Sequence, residues 1–345
     1  MQVPANKKLV VVVGAGASSE FGLPVGQELT LAIAQILDIR FDRYAQIGGD
    51  ALVTDALRVF DKDHRMGQLK AAAGLIRDAM HMAPSIDEFL DVHQANDDVT
   101  LCGKLAVVRA ILNAEKKSNL YIDGQKKQLD YKRISPTWLK PFFQKLIERC
   151  TPDSLPERFA EVSFVIFNYD RCIEHFLHFA LQRYHQVSDV LATEILAKTE
   201  FLHPYGVVGS LPWQHRANRV AFGGELNAED LLSNATQIKT FTQSVDPSDS
   251  DILRIRENVA NSDVALFLGF AYHKQNMELM ASKATKGSLT RRTYGTAFGI
   301  SDPELPDLRQ ELANLRRAPP ELVFLTNKLR CAGVFSEYWR SLSFL

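Results

Sequence analysis

The chain has 345 residues, 46% of them hydrophobic and 23% charged, with a formal net charge of −1. That composition supports a full hydrophobic core in one large α/β domain, or in a domain carrying a big insertion. Near-neutral charge excludes a global electrostatic footprint for nucleic acid or an anionic membrane, so neither direct nucleic-acid binding nor membrane association is expected.

Residues 1–8 hold two lysines, and only five apolar residues follow before glycine, too few for the apolar region of a signal peptide. No apolar run approaches the length of a membrane span. Leu9-Val10-Val11-Val12-Val13 is an all-apolar, mostly β-branched run and reads as a buried strand. It leads into Gly14-Ala15-Gly16-Ala17-Ser18-Ser19, with Pro24 and a helical apolar pattern (Leu29, Ile33, Ile36, Leu37) beyond. A glycine pair after a strand lets backbone amides approach a diphosphate. Glycine at such a place also serves simply to turn a strand tightly into a helix.

From about residue 41 to 150 the period becomes helical, over 51–60, 67–80, 86–92, 101–112 and 138–147. This reads as a large, mainly helical insertion within a single domain spanning 1–345. Between these helices, Lys116, Lys117, Lys126, Lys127, Lys132 and Arg133 could form a basic patch. Interleaved with Asp123 and Asp130, the segment reads instead as a solvated loop or hairpin.

The parallel-sheet pattern resumes at 162–167, followed by an amphipathic helix over 171–184. A further strand-to-loop junction is expected at 200–206, a strand at 264–268 with a helix near 275–280, and a late strand at 322–325. The expected fold is therefore a Rossmann-like parallel sheet with a helical insertion. In such sheets ligands sit beyond the carboxyl ends of the strands, so the loops after Val13, Phe167, Leu202 and Leu268 can converge.

Chemistry-bearing residues fall on those loops. Asn168 and Asp170 in Phe167-Asn168-Tyr169-Asp170 can grip a ribose, or Asp170 can cap the next helix while Asn168 satisfies a turn. His203 in Leu202-His203-Pro204-Tyr205-Gly206 is a candidate base in a stiff turn, or a structural histidine. Glu174, His175 and His178 have helical spacing for a metal, but with no further ligand nearby none is expected. Trp213, Phe222 and the stretch 294–298 read as packing aromatics, with a nicotinamide cover or an interface as the other use. Cys102, Cys150, Cys172 and Cys331 are scattered without C-x-x-C spacing, which points to reduced thiols, a cytoplasmic protein and no zinc ribbon.

Taken together, the G-A-G-A-S loop, the N-Y-D after an internal strand, the H-x-x-G after a third and the L-G-F after a fourth resemble the sirtuin family. The match covers roughly 9–37 and 162–275. The resemblance implies an NAD+ site, with Gly14, Ala15, Gly16 and Ser18 on the diphosphate, flanked by Ser19 and Pro24. It further implies Asn168 and Asp170 near the ribose and nicotinamide, His203 as the catalytic histidine and Gly269 on the adenosine side, with His273 on the polar rim. Three departures separate the chain from the family's protein deacylases: it lacks a four-cysteine zinc module, it reads Gly22-Leu23-Pro24-Val25-Gly26-Gln27 where they read G-I-P-D-F-R, and two residues part His203 from Gly206.

These departures look like the sirtuin-like NAD-degrading proteins of prokaryotic antiphage defence, which also share a segment similar to Ser85-Ile86-Asp87-Glu88-Phe89-Leu90. The implied reaction is hydrolysis of NAD+ to nicotinamide and ADP-ribose. Asn168 would orient the ribose and water, Asp170 would steady the ribose or nicotinamide end, and His203 would take a proton. A dehydrogenase is the first rival, but Asp38, at the right distance for its ribose-binding acid, follows a helix and not a strand. A non-catalytic NAD or ADP-ribose sensor subunit is the second, and a protein deacylase the third. Because free NAD+ hydrolysis would poison the host cell, activity is expected to be restrained until a homo-oligomer rearranges or a separate sensor protein acts.

Overall fold

The computed structural model describes residues 8–43, 45–124, 127–244, 249–282 and 288–344. Lys126 and the first seven residues, on which two sequence expectations bear, lie outside them. β1 (Leu9–Val13) is completely buried because every side chain is apolar and both faces are covered, which is what a central parallel strand requires. β2 (Arg40–Asp42) and β3 (Ala45–Gly48) form a small antiparallel hairpin where the helical reading of the insertion had begun.

The sheet itself contains β1, β4 (Val162–Ile166), β5 (Glu200–Leu202), β6 (Val264–Leu268), β7 (Arg292–Thr296) and β8 (Val323–Thr326). Their spatial order is β5-β4-β1-β6-β7-β8, and every pairing is parallel, with Val11 opposite Phe164 on one side and Leu266 on the other. The chain thus builds one half outward from β1, then returns to the other side of β1 and builds the second. This is the Rossmann-like order, and the reversal lies between β1 and β6.

The alternation of β1 divides the core. Val10 and Val12 pack with helices Gly26–Ile36, Ala51–Phe60, Met66–Ala79, Asp97–Lys117, Ser250–Asn261 and Leu305–Arg316. Leu9, Val11 and Val13 face helices Leu139–Leu146, Leu155–Ala160, Cys172–His185, Asp189–Leu196 and Cys331–Glu337. The inserted helices are therefore shared between both faces of the sheet and complete its core. Their ends follow side-chain caps: Asp50 accepts from the Val53 amide, Ser85 from Glu88, and Asn96 from Asp98 and Val99. Among the described residues, no helix is long and apolar enough to cross a membrane. All four cysteines are unpaired, three of them buried.

Candidate active site

The turn after β1 and the turn after β6 touch through their backbones. A Cβ on Gly14 would lie 2.5 Å from the Gly269 carbonyl oxygen, and one on Gly16 would lie 2.9 Å from it. Gly269 has φ +56°, and a Cβ there would stand 1.9 Å from the Ala17 nitrogen. These glycines thus answer first to packing: the Gly14, Gly16 and Ala17 amides donate to the carbonyls of Leu268, Gly269 and Gly14. Ala15 opens the short helical turn Ala15–Ser18, and the first amides of such a turn have no partner within it. Gly16→Ala is expected to cost about 1–3 kcal/mol through overpacking. A urea unfolding midpoint unchanged from wild type would contradict that.

The same loop is braced from below. The Trp138 indole donates to the Ala17 carbonyl at 3.1 Å, the Ser19 hydroxyl donates to the Gly16 carbonyl at 2.8 Å, and Glu20 accepts from the Trp138 and Ala332 amides. This fixes Ser18, only 3% exposed, at the carboxyl end of β1. Its hydroxyl donates to Asp170 Oδ2 at 2.8 Å and accepts from Asn168 Nδ2 at 2.9 Å. The other Asp170 oxygen accepts from the Cys172 amide at 3.0 Å, so this carboxylate satisfies the first amide of helix Cys172–His185, whose N-cap is Arg171, and joins the polar cluster at once. Burial raises the Asp170 pKa, and the Ser18 and Cys172 hydrogen bonds act against that rise.

His203, after β5, reaches the same cluster. Its Nδ1 stands 3.1 Å from the Asn168 carbonyl oxygen and its Nε2 stands 2.7 Å from Glu174 Oε1. Both neighbours are acceptors, which favours the doubly protonated ring. Burial opposes that charge, but Glu174, the Asn168 carbonyl and Asp170 together raise the His203 pKa above its ordinary 6.5. Ser18, Asn168, Asp170 and Glu174, all buried, and the partly buried His203 therefore form one continuous network drawn from three strand ends. Glu174 is the member that sequence reasoning placed elsewhere. No local pattern could have paired it with a histidine 29 positions away.

The insertion touches the turn that carries Asn168 and Asp170. Asp87, in the segment 85–90, accepts a short hydrogen bond from the hydroxyl of Tyr169, the middle residue of N-Y-D. Tyr205 donates to Asn276 in the helix Lys274–Met280. Phe167 packs on Tyr205 and on Phe270, with ring centroids 5.9 and 5.0 Å apart. His273 is exposed beside that helix, as a polar rim residue would be.

Other candidates lie apart. Pro24 lines a cleft of about 410 Å³ with Glu28, Asn113 and Lys117, and neither Asn168 nor His203 borders it. Asp38 pairs with Arg40 and Arg77 outside the main sheet. Tyr294 belongs to β7 and is buried, while Phe298 is 58% exposed under Arg330. Lys116 pairs with Glu225, and Lys117, Lys127, Lys132 and Arg133 are exposed.

Glu174, His175 and His178 have separate partners: His175 Nε2 meets the Leu120 carbonyl at 3.1 Å, and His178 Nε2 meets Thr193 Oγ1 at 3.3 Å. Among the described residues, no group of three or more His, Cys, Asp or Glu is placed to hold a metal ion. Burial pushes the His175 pKa down from 6.5 to about 3, so the native state keeps this ring neutral while the unfolded chain takes up a proton below 6.5. Its contribution to stability is full above pH 6.5 and falls away toward pH 3, a change on the order of 4 kcal/mol. Unfolding free energies measured across that range should fall more steeply in wild type than in His175→Phe; equal slopes would contradict the assignment.

In comparisons with known proteins, the chain matches no family model, no curated protein and no solved structure, so the likeness to sirtuins rests on the motifs and on the site they form.

Proposed function

We propose that this chain is an NAD+ glycohydrolase, cleaving NAD+ to nicotinamide and ADP-ribose as a restrained effector of antiphage defence. The supporting observation is convergence: residues 18, 168, 170, 174 and 203 meet in one polar network beside the reversal of strand order, where Rossmann-like sheets bind ligands. Cleavage of the nicotinamide–ribose bond builds positive charge on the ribose. The Asp170 carboxylate supplies opposing charge, and Asn168 with Ser18 orients the sugar and the attacking water. The Ala15 amide serves the diphosphate side.

His203 is the proton acceptor in this scheme, and its geometry explains the restraint. With the Asn168 carbonyl on one nitrogen and Glu174 on the other, it has no lone pair to offer. Activation exchanges the Glu174 contact for water or a ribose hydroxyl and releases the proton. A second copy of the chain or a separate sensor protein is the proposed trigger.

The same engagement of both ring nitrogens favours a second reading, a subunit that binds NAD+ or ADP-ribose without turning it over. Chromatography of NAD+ incubated with the protein, alone and with the products of neighbouring genes, separates the readings. Free nicotinamide supports hydrolysis, and binding without any product supports the sensor. Growth of the reduced-nicotinamide absorbance band would overturn both in favour of a dehydrogenase.

A further inference from the structure

Outside the network, a cavity of about 540 Å³ is walled by Trp213, Phe222, Phe179, His175, His178 and Leu211. That volume falls within the range of small-molecule sites. Two ring pairs build the walls: His175 lies parallel to Phe222 at 4.2 Å and His178 parallel to Trp213 at 4.8 Å, with interplanar angles of 8° and 2°. The Gln182 amide donates to His178 Nδ1 at 3.2 Å, leaving the proton on Nε2, so this ring is neutral. His175 is neutral at pH 7 as argued above. Trp213 presents ring carbons to the cavity, because its Nε1 is fully buried. At the rim stand exposed Lys127 and Asp189, the latter 3.5 Å from His178 Nε2, charges of both signs that select no ionic ligand.

We propose that this cavity is a binding site for a neutral planar aromatic molecule of nucleobase size, whose ring packs among the aromatic walls. The site is distinct from the Ser18–His203 network and stands whether or not that network cleaves NAD+.

Caffeine is a suitable probe: a neutral purine with carbonyl acceptors and no donors, unlike NAD+ in charge. Trp213 is the only one of the three tryptophans that lines the cavity. Caffeine should quench tryptophan emission saturably, with a dissociation constant below about 1 mM. By calorimetry, Trp213→Ala, which removes one aromatic wall, should weaken binding about ten-fold or more. Ala221→Phe, at an exposed position lining the cavity, should block it. N-methylpyrrolidone, which has the carbonyl and lacks the aromatic ring, should bind at least about ten-fold more weakly. Binding should persist in Asn168→Ala. No saturable binding at about 10 mM caffeine would overturn the proposal. So would affinity unchanged in both Trp213→Ala and Ala221→Phe, or binding lost in Asn168→Ala.

Discussion

Replacing Arg171 by alanine is expected to destabilise the protein by about 3–5 kcal/mol, the cost of leaving one member of a buried ion pair uncompensated. Arg171 is 1% exposed and Glu115 is fully buried. The guanidinium donates to Glu115 Oε1 at 3.1 Å and Oε2 at 2.5 Å, and to the Val220 and Ala221 carbonyls at 2.6 and 3.1 Å. Glu115 also accepts from the Gly223 amide at 2.9 Å. One contact set thereby ties the long inserted helix, the turn after β4 and the loop leading to Phe222. Burial already drives the Glu115 carboxyl above its ordinary pKa, and Arg171 is the chief force against that rise. Without Arg171 the acid protonates, and the two carbonyls lose their donor. The double variant Arg171→Met with Glu115→Leu should recover much of the loss, because it removes both charges together. Urea unfolding decides the matter; a loss under about 1 kcal/mol for Arg171→Ala would show that the pair is dispensable.

His203→Ala should lower NAD+ cleavage by about 10²- to 10⁴-fold, the usual contribution of a positioned general base. The pH profile carries the same information. Because Glu174 and the Asn168 carbonyl outweigh burial and raise the His203 pKa above 6.5, the ring is held in its charged form below that pH and becomes a base only as pH rises through the raised value. Cleavage by wild type should therefore climb with pH above 6.5, and the rise should vanish in His203→Ala. Stability runs the other way: the charged pair with Glu174 contributes fully below pH 6.5 and is lost as pH rises through the folded-state value. A variant that unfolds would mimic the loss of activity but not a flattened profile at normal stability.

Much of the frame is legible in the sequence because buried central strands have a simple signature. β1, β4 and β6 are unbroken or nearly unbroken apolar runs, and the inserted helices carry clear 3.6-residue periods and side-chain caps. β7 is Arg-Thr-Tyr-Gly-Thr, with too little apolar content to announce itself; it is buried because β6 and β8 flank it. The site divides in the same way. Ser18, Asn168, Asp170 and His203 sit on strand ends that topology must bring together. Glu174 and Glu115 look locally like a helical trio member and the start of a polar tract, and only tertiary contacts 29 and 56 residues away give them partners. The glycines suggest either a diphosphate site or a tight strand-to-helix turn, while their tightest demand is the contact between two turns, which periodicity cannot encode.

Nicotinamide released from NAD+ by wild type and by Asn168→Ala, compared under the same activating conditions and at equal folded fraction, tests the account most directly. It predicts free nicotinamide from wild type and a loss of at least about 100-fold in Asn168→Ala, whose amide joins Ser18 to the turn that holds His203. Release at the wild-type rate by Asn168→Ala would contradict it, as would NAD+ bound and recovered intact by wild type under every condition tried.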